Sequence, residues 1–303
     1  MPGPVLAAFD PGRPSPFGRH GMARTVVANP VTALLVQRAL VMEVAHPSVA
    51  AGVEHHSRFR SHPLRRAWVT ADAALRLTFG DDEVARGAVR QIYRVHDRIN
   101  GPVDAAGPAT DEACPSGSYT AHDASLLLWV WATLVDTAET AYTRWVRPFE
   151  VHEGAAFYTE MRSMGSFLGI PVDMLPPDRV AFARYVDDVL DDERLGSSDT
   201  SRRMARQVLW FSHWSVPPAA VWLQRVLALA TLDPRVVHRL DLQPCRADVE
   251  AGRRVDGLLS SYYRRLPRLP ARLPARLPSL YVLFRRPSIG LADHLRRLPA
   301  LLR

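Results

Sequence analysis

The imidazole of His96 is the first candidate for chemistry in this chain. Five of the eleven histidines fall between residues 46 and 96, and His96 is the last of the five. If residues 84–99 form a helix that turns by about 100° per residue, their apolar side chains share one arc of about 140°, and His96 lies inside it. An imidazole that faces a core needs a partner for each ring nitrogen, because an unsatisfied polar group there costs about 1–3 kcal/mol. The position therefore indicates either a core histidine bonded to a carbonyl, which is the commoner case, or a buried ligand of a metal or heme iron.

Arg66 and Thr70 form a second candidate pair. They are spaced i, i+4, so in a helix a guanidinium and a hydroxyl lie on the same face. Such a pair is suited to orient bound oxygen or a carbonyl product beside a metal. The alternative is an ordinary one, in which the arginine is solvated at the helix edge and the threonine bonds its own backbone.

The other histidines of this stretch are weaker candidates: His46, His55, His56 and His62. None of their spacings matches the H-E-x-x-H helix of a metalloprotease. His46 and His62 each precede a proline, where turn and capping roles are common. A nonheme metal site built from His46, His56 and His96 is open at this point, beside a heme site and a purely structural histidine.

Composition excludes several enzyme classes. All 38 basic side chains other than histidine are arginine, because the chain contains no lysine. Mechanisms that need a lysine amine, such as a pyridoxal Schiff base or the lysine of a phosphate-binding P-loop, are therefore ruled out. No G-x-G, G-x-S-x-G or C-x-x-C occurs, which removes the usual signatures of a dinucleotide-binding turn, a nucleophile elbow and a thiol redox pair.

Cysteine content and hydropathy favour a cytoplasmic protein without a transmembrane helix. Cys114 and Cys245 are too few for a disulfide framework, and the first residues show no charged region followed by an apolar core. The longest uncharged apolar run, Leu126–Val135, is about half of the roughly 20 residues that a membrane span requires. We therefore expect a soluble protein of a reducing compartment.

Hydrophobic periodicity predicts an all-α, multi-helical fold. A buried helix over residues 31–45 should end at His46, because the residue before a proline disfavours helical geometry. The next helix, over 64–79, has Ser61 as a candidate N-cap, and the helix that bears His96 should end at Asn100. No stretch alternates with a period of two, so we expect no sheet.

The following helix, from near Asp123 to Val146, is so uniformly apolar in LLLWVWATLV that it should be central to the fold. The later part of the chain continues the helical pattern. Further helices are predicted over residues 151–168, 177–192, 200–213, 217–231 and 246–264.

Three regions follow from these patterns. Residues 1–22 carry Pro and Gly without periodicity and predict a mobile N-terminal segment, residues 23–264 form the helical domain, and residues 265–303 form a basic tail with a short C-terminal helix. Prolines in RLPRLPARLPARLP, residues 265–278, prevent a helix and favour extended polyproline-like geometry. The tail's arginines suit an acidic surface such as anionic lipid, or else a strap across the protein's own surface, and nucleic acid is not favoured as a partner.

A family resemblance rests on several motifs that occur in order. The segment EVAHPSVAAGVEHHSRFRSHPLRRAWVT at 43–70 is followed by FGD at 79–81, YRVHDRINGP at 93–102 and YTAHDASLLLWVWATLVDT at 119–137. Together they resemble the catalytic domain shared by bacterial rubber oxygenase (latex-clearing protein) and the fungal MpaB-type oxygenases. The similarity is clearest over residues 30–147 and extends with fewer motifs to about 240. It implies an all-helical protein with a globin-like core that holds a b-type heme through one histidine.

The resemblance also implies residue roles. His96 would be the proximal iron ligand and metal-binding residue, and Arg66 and Thr70 would be the catalytic pair on the distal side. The heme propionates would be bound by nearby arginines, which are Arg58, Arg60 and Arg65, since a guanidinium binds a carboxylate in a bidentate way. Apolar side chains, with Trp68 and the helix of Trp129 and Trp131 among them, would shape a substrate channel.

The sequence departs from the family at several positions. Val69 stands where rubber oxygenases carry a lysine, so a lysine cannot close the iron site here, and Asn100 replaces an arginine four residues after the proximal histidine. Trp131 stands where shorter relatives often carry a histidine. The distal base is left open between Glu43 and Glu54.

The leading hypothesis is a heme-b-dependent oxygenase that uses molecular oxygen and an electron donor that the sequence does not identify. Its substrate would be apolar and unsaturated, a small molecule or a polyprenyl-type chain. The alternative is a noncatalytic helical binding protein with a structural core histidine, whose basic tail docks on an acidic partner. An absorption spectrum separates the two, because only the first contains a porphyrin.

Overall fold

The structure is a computed structural model that describes residue 17 and residues 21–57, 61–102 and 118–265. These described residues fold into thirteen α-helices and one pair of very short strands, so the all-α prediction is confirmed. The helices are α1 Met22–Val27, α2 Pro30–Leu34, α3 Val36–Ala45, α4 Pro47–His56, α5 Pro63–Phe79, α6 Asp82–His96, α7 Ala124–Ala141, α8 Val151–Phe167, α9 Arg179–Asp191, α10 Asp199–Leu209, α11 Pro218–Thr231, α12 Pro234–Arg239 and α13 Arg246–Arg265.

The first predicted helix is divided in two. Leu35 leaves the helical region, with φ −102° and ψ 15°, and separates α2 from α3. The predicted end at His46 is confirmed, because this residue takes an extended conformation before Pro47. Pro47 then begins α4, which the sequence analysis did not predict, at the first helical position where its missing N–H is no loss.

Helix α7 lies at the centre of the core, as its apolar sequence predicts. Asp123 caps its N-terminus by accepting hydrogen bonds from the backbone N–H groups of Ser125 and Leu126. Trp129 and Trp131 are each only 1% exposed, and both belong to the largest cluster of buried side chains. A π-helical segment, Tyr142–Val146, continues the helix to the end that the sequence predicts.

A buried arginine joins α3 to two other helices. Arg38 is 5% exposed, and its guanidinium pairs with Asp136 at 2.7 Å and donates to Thr137 Oγ1 at 2.7 Å. Its Nε also donates to the carbonyl of Thr231 on α11 at 3.2 Å. Because one charge bonds to both neighbouring helices, α3 and the side chains that it carries are held in a fixed position against the core.

Helices α5 and α6 form a hairpin. Helix α5 begins at Pro63 after His62, so Ser61 is not the N-cap, and it ends at Phe79 with Gly80 as its C-cap. Asp81 begins α6 by accepting a hydrogen bond from the backbone N–H of Val84. Arg76 on α5 donates to Gln91 Oε1 on α6 at 2.9 Å, which fixes the register of the two helices.

Helix α6 ends at His96, four residues before the predicted end. The chain then enters strand β1, Asn100–Pro102, which pairs antiparallel with β2, Ser118–Thr120. The expectation of no sheet was therefore wrong for this short ribbon, whose strands are too short for alternation to be visible. Because β2 runs antiparallel to β1, the chain returns to the residues that follow α6. Residues 121–123 therefore lie beside the end of that helix.

The later helices follow the predicted pattern within a few residues at each end, and α1 and α12 are additional to it. Among the described helices, none combines the length and apolarity that crossing a bilayer requires. The proposed N-terminal segment 1–22 and tail 265–303 lie almost entirely outside the described residues, so their boundaries are still predictions.

Candidate functional site

His96 is the last residue of α6, and its ring is half-buried. Burial lowers the pKa of this imidazole to about 4, and the charges of His122 and Arg66 act in the same direction, while Asp97 opposes them. Within the described part of the chain neither ring nitrogen has a hydrogen-bond partner; the ring contact of His96 is with His122. The ring is therefore a neutral base at pH 7 with a nitrogen free to bind a ligand.

His122 packs against this ring. The two imidazoles meet edge to face, with centroids 6.1 Å apart. His122 Nε2 lies 2.8 Å from Asp97 Oδ1, and the ring of Tyr93 covers its other side at 5.2 Å. His122 was not among the residues predicted from the sequence, although it falls in the motif YTAHDAS.

Arg66 and Thr70 meet as their spacing predicts. Arg66 Nη1 donates to Thr70 Oγ1 at 2.6 Å, and the threonine hydroxyl donates to the carbonyl of Arg66 at 2.9 Å. Both side chains are exposed on α5. No carboxylate among the described residues forms an ion pair with Arg66, so most of its donors are available to a ligand.

Glu43, on α3, is an acidic residue whose pKa is affected by the charge of Arg66. Burial raises the pKa of its carboxyl to about 7, and the positive charge of Arg66 offsets part of this increase. The side chain is surrounded by protein but only half-buried, and none of the described residues hydrogen-bonds to it.

Glu54, the other candidate for a distal base, is engaged elsewhere. Its carboxylate pairs with Arg203 at 2.7 Å. Arg66, in contrast, acts on the pKa values of both Glu43 and His96. The structure therefore brings together three of the groups considered from sequence, Glu43, Arg66 and His96, and leaves Glu54 out.

Large apolar side chains near this group are uncovered. On α5, Leu64 and Trp68 are each 54% exposed and Val69 is 37% exposed. Val95, which the helical arc predicted to be buried, is 51% exposed at the end of α6. The first turns of α5 and the last turn of α6 thus form an apolar wall whose large side chains are partly exposed.

Several sequence-based assignments need correction or fall outside the described residues. Trp129 and Trp131 do not line a channel, because each indole is buried and donates to a backbone carbonyl, of Met42 and of Met161. Of the three proposed propionate ligands, Arg65 is exposed on α5. The other two lie outside the described residues; they are Arg58 and Arg60.

The other histidines have structural contacts. His55 Nδ1 lies 3.1 Å from the Tyr119 hydroxyl, His56 Nε2 lies 3.1 Å from the Asn100 carbonyl, and His62 Nδ1 lies 2.9 Å from Ser61 Oγ. No three metal-binding side chains converge anywhere in the described ranges. The nonheme site of His46, His56 and His96 considered from sequence is therefore not formed by these residues.

Fold and site together define a helical protein in which one half-buried histidine is available as a ligand near an arginine, a threonine and a carboxyl. Residues 24–276 match the family described as "ER-bound oxygenase mpaB/B'/Rubber oxygenase, catalytic domain". This match covers most of the chain, and the chain therefore belongs to that oxygenase family.

Two mycobacterial proteins are similar over part of their length. They are the uncharacterized protein Mb2261 of Mycobacterium bovis and the uncharacterized protein Rv2237 of Mycobacterium tuberculosis, each 33% identical over 170 residues. The alignment covers 52% of this chain and 60% of each relative, so the chain spans about three fifths of the relatives that it matches. No solved structure gives a significant match.

Proposed function

We propose that this chain is a heme-b-dependent oxygenase that acts on an apolar, unsaturated substrate with molecular oxygen. The observation that carries the proposal is the imidazole of His96, which is half-buried, neutral at pH 7 and without a hydrogen-bond partner among the described residues. A neutral imidazole with an unoccupied ring nitrogen is the form that binds a metal.

The described residues fit a heme. A single neutral imidazole is the usual protein ligand of a b-type heme that reacts with oxygen. The exposed apolar side chains Leu64, Trp68, Val69 and Val95 supply the hydrophobic surface that a porphyrin buries. Arg65 is in a position on α5 to bind a propionate, and Arg58 and Arg60 are further candidates from the sequence.

The chain's own polar residues have distinct roles in this proposal. When bound, heme b supplies an iron that activates molecular oxygen, and the protein sets the polarity and access of the site. The Arg66 guanidinium, oriented by its contact with Thr70, donates hydrogen bonds to an oxygen atom of the reactant or product. Because the pKa of Glu43 is about 7, its carboxyl can hold or accept a proton at neutral pH.

The substrate class follows from the apolar surroundings of the site. Apolar side chains at the open end of the hairpin of α5 and α6 favour a substrate without charge, such as a hydrocarbon or a polyprenyl chain.

The experiment measures oxygen uptake by hemin-loaded protein with squalene, an unsaturated hydrocarbon, and with squalane, its saturated counterpart. It is run with and without ascorbate as a reductant. We expect uptake with squalene only, together with carbonyl or epoxide products detected by mass spectrometry. Arg66→Gln should abolish most of this uptake while hemin binding persists.

Two results would contradict the proposal. Equal uptake with squalane would remove the unsaturated-substrate assignment. A protein that binds no hemin would favour the alternative of a noncatalytic helical binding protein, in which His96 has only a structural role.

A further inference from the structure

Three exposed tryptophans lie close together in the sequence: Trp210 and Trp214 in the loop that follows α10, and Trp222 on α11. Trp210 is 38% exposed, Trp222 is 39% exposed and Trp214 is 93% exposed. Tryptophan is buried to a large degree in most proteins, and exposed clusters of large apolar side chains mark interaction sites. These three residues are called the tryptophan surface below.

Contacts show that the tryptophan surface is continuous with α13. The guanidinium of Arg225 lies over the ring of Trp210 at 6.0 Å, and Arg225 also pairs with Asp248 on α13 at 3.1 Å. Trp222 precedes Arg225 by three residues on α11, so the two side chains share one helical face. Trp214 lies in the loop that leads from Trp210 into α11.

A cavity of about 390 Å³ opens between α11 and α13 at this surface. Trp222 and Val255 form its larger apolar walls, and Arg254 stands at its edge. Its one carboxylate, Glu250, is already paired with Arg246 at 2.9 Å. The volume falls within the range of about 300–1,000 Å³ that is usual for small-molecule sites.

The free charge at the cavity is positive. Arg254 lines the cavity and is exposed, as is the preceding residue Arg253, and in the part of the chain that the structure describes neither has a carboxylate partner. The neighbouring carboxylates, Asp248 and Glu250, are neutralised by their own arginines. An anionic ligand is therefore complementary to this edge of the cavity.

We propose that the tryptophan surface docks on a membrane containing anionic lipid, with a lipid phosphate bound at Arg254 and the upper part of an acyl chain in the cavity beside Trp222. Tryptophan side chains favour the level of the lipid headgroups, because an apolar ring and a polar N–H are both satisfied there. A nucleic acid would need a longer track of free basic side chains than these two arginines supply.

The test uses the full-length chain and vesicles of phosphatidylcholine with and without phosphatidylglycerol, and measures binding by co-sedimentation. We expect binding that requires phosphatidylglycerol and weakens with added salt. Arg254→Gln should weaken it about fivefold, because one arginine near an anionic surface contributes about that much. Arg184→Gln, which removes an exposed arginine of α9, is the matched control and should have no effect.

A second readout locates the contact. Lipids that carry a nitroxide near the headgroup should quench part of the tryptophan fluorescence, and Trp214→Phe should remove a part of that quenching. Because Trp214 is almost fully exposed, this variant should fold as the wild type does.

Four results would overturn the proposal. The first is that Arg254→Gln binds as the wild type does and Trp214→Phe shows unchanged quenching. The second is equal binding to vesicles of phosphatidylcholine alone. The third is that binding is lost only when the tail arginines are changed to glutamine, which are Arg268, Arg272 and Arg276. The fourth is preferential binding of a single-stranded oligonucleotide that competes with the vesicles at the same surface. None of these measurements needs heme or turnover, so their outcome is independent of the proposed oxygenase function.

Discussion

The ring of His122 stands at 72° to the ring of His96, and the ring centroids are 6.1 Å apart. Asp97, the residue after His96, holds the His122 ring through a contact of 2.8 Å. The short ribbon of β1 and β2 makes this arrangement possible because it returns the chain to the end of α6. His122 is therefore in a position to restrict the rotation of the imidazole that we propose as the iron ligand.

Replacing His122 should weaken heme binding without removing it. His122→Ala leaves the His96 ring free to rotate, and we expect hemin affinity to fall by about tenfold, the lower limit for residues that orient a metal ligand. His122→Phe keeps a flat ring in the same place and should lose less. Hemin titration and the electron paramagnetic resonance spectrum of the ferric protein measure the effect, with His152→Ala as the control because that side chain is 77% exposed. Equal affinity in all four proteins would show that His122 does not position the ligand.

Arg66 and Thr70 should affect turnover more than heme content. In Arg66→Gln and Thr70→Val the donors near the proposed oxygen site are lost or misdirected, and we expect oxygen uptake with squalene to fall about a hundredfold. Arg90→Gln removes an exposed arginine from α6 and should leave uptake unchanged. If Arg66→Gln keeps wild-type uptake with a normal heme content, Arg66 has no catalytic role.

Glu43 should make stability depend on pH in a defined window. Burial raises the pKa of its carboxyl in the folded protein to about 7, compared with 4.5 for an unperturbed glutamate. A group whose folded pKa is raised stabilises the folded state fully below pH 4.5, and this contribution is lost as the pH rises through about 7. The full contribution amounts to at most about 3 kcal/mol.

The measurement compares the free energies of unfolding of wild type and Glu43→Gln by urea denaturation at pH 5 and at pH 8. Glutamine does not titrate, so the wild type should lose stability relative to the variant between the two pH values. Asp199→Asn, in which an exposed carboxylate with a lowered pKa is replaced, should not show this loss. A constant difference between wild type and Glu43→Gln would mean that Glu43 titrates normally.

Arg38 should be important for folding stability. Arg38→Ala removes a buried guanidinium that bonds to two neighbouring helices and leaves Asp136 without its partner, which should cost about 3 kcal/mol. Replacing both members with apolar residues, in Arg38→Met/Asp136→Leu, should recover much of the loss because no unpaired charge is left. Chemical denaturation measures both variants, and a single variant within about 0.5 kcal/mol of wild type would show that the network contributes little.

Local patterns in the sequence predicted the local features of the fold. The apolar run after Asp123 predicted the central helix α7, and the His46-Pro47 step predicted the end of α3, because capping and proline geometry act over a few residues. The contact of Arg66 with Thr70 also followed from i, i+4 spacing alone.

Contacts between distant segments could not be predicted in this way. His122 reaches His96 only because Asn100 pairs with Thr120 across a short ribbon, whose strands are too short to show a pattern. The effect of Arg66 on Glu43 depends on how α5 lies relative to α3. Likewise, apolarity indicated that Trp131 is buried but not that Met161, on α8, accepts its hydrogen bond.

A titration of the purified protein with hemin, followed at the Soret band, tests the central claim most directly. We predict one hemin per chain, with a spectrum typical of iron bound by a single histidine, and we predict that His96→Ala loses this spectrum while keeping the helical content of the wild type. A protein that binds no hemin, or a His96→Ala variant that binds it with an unchanged spectrum, would contradict the assignment of His96 as the iron ligand.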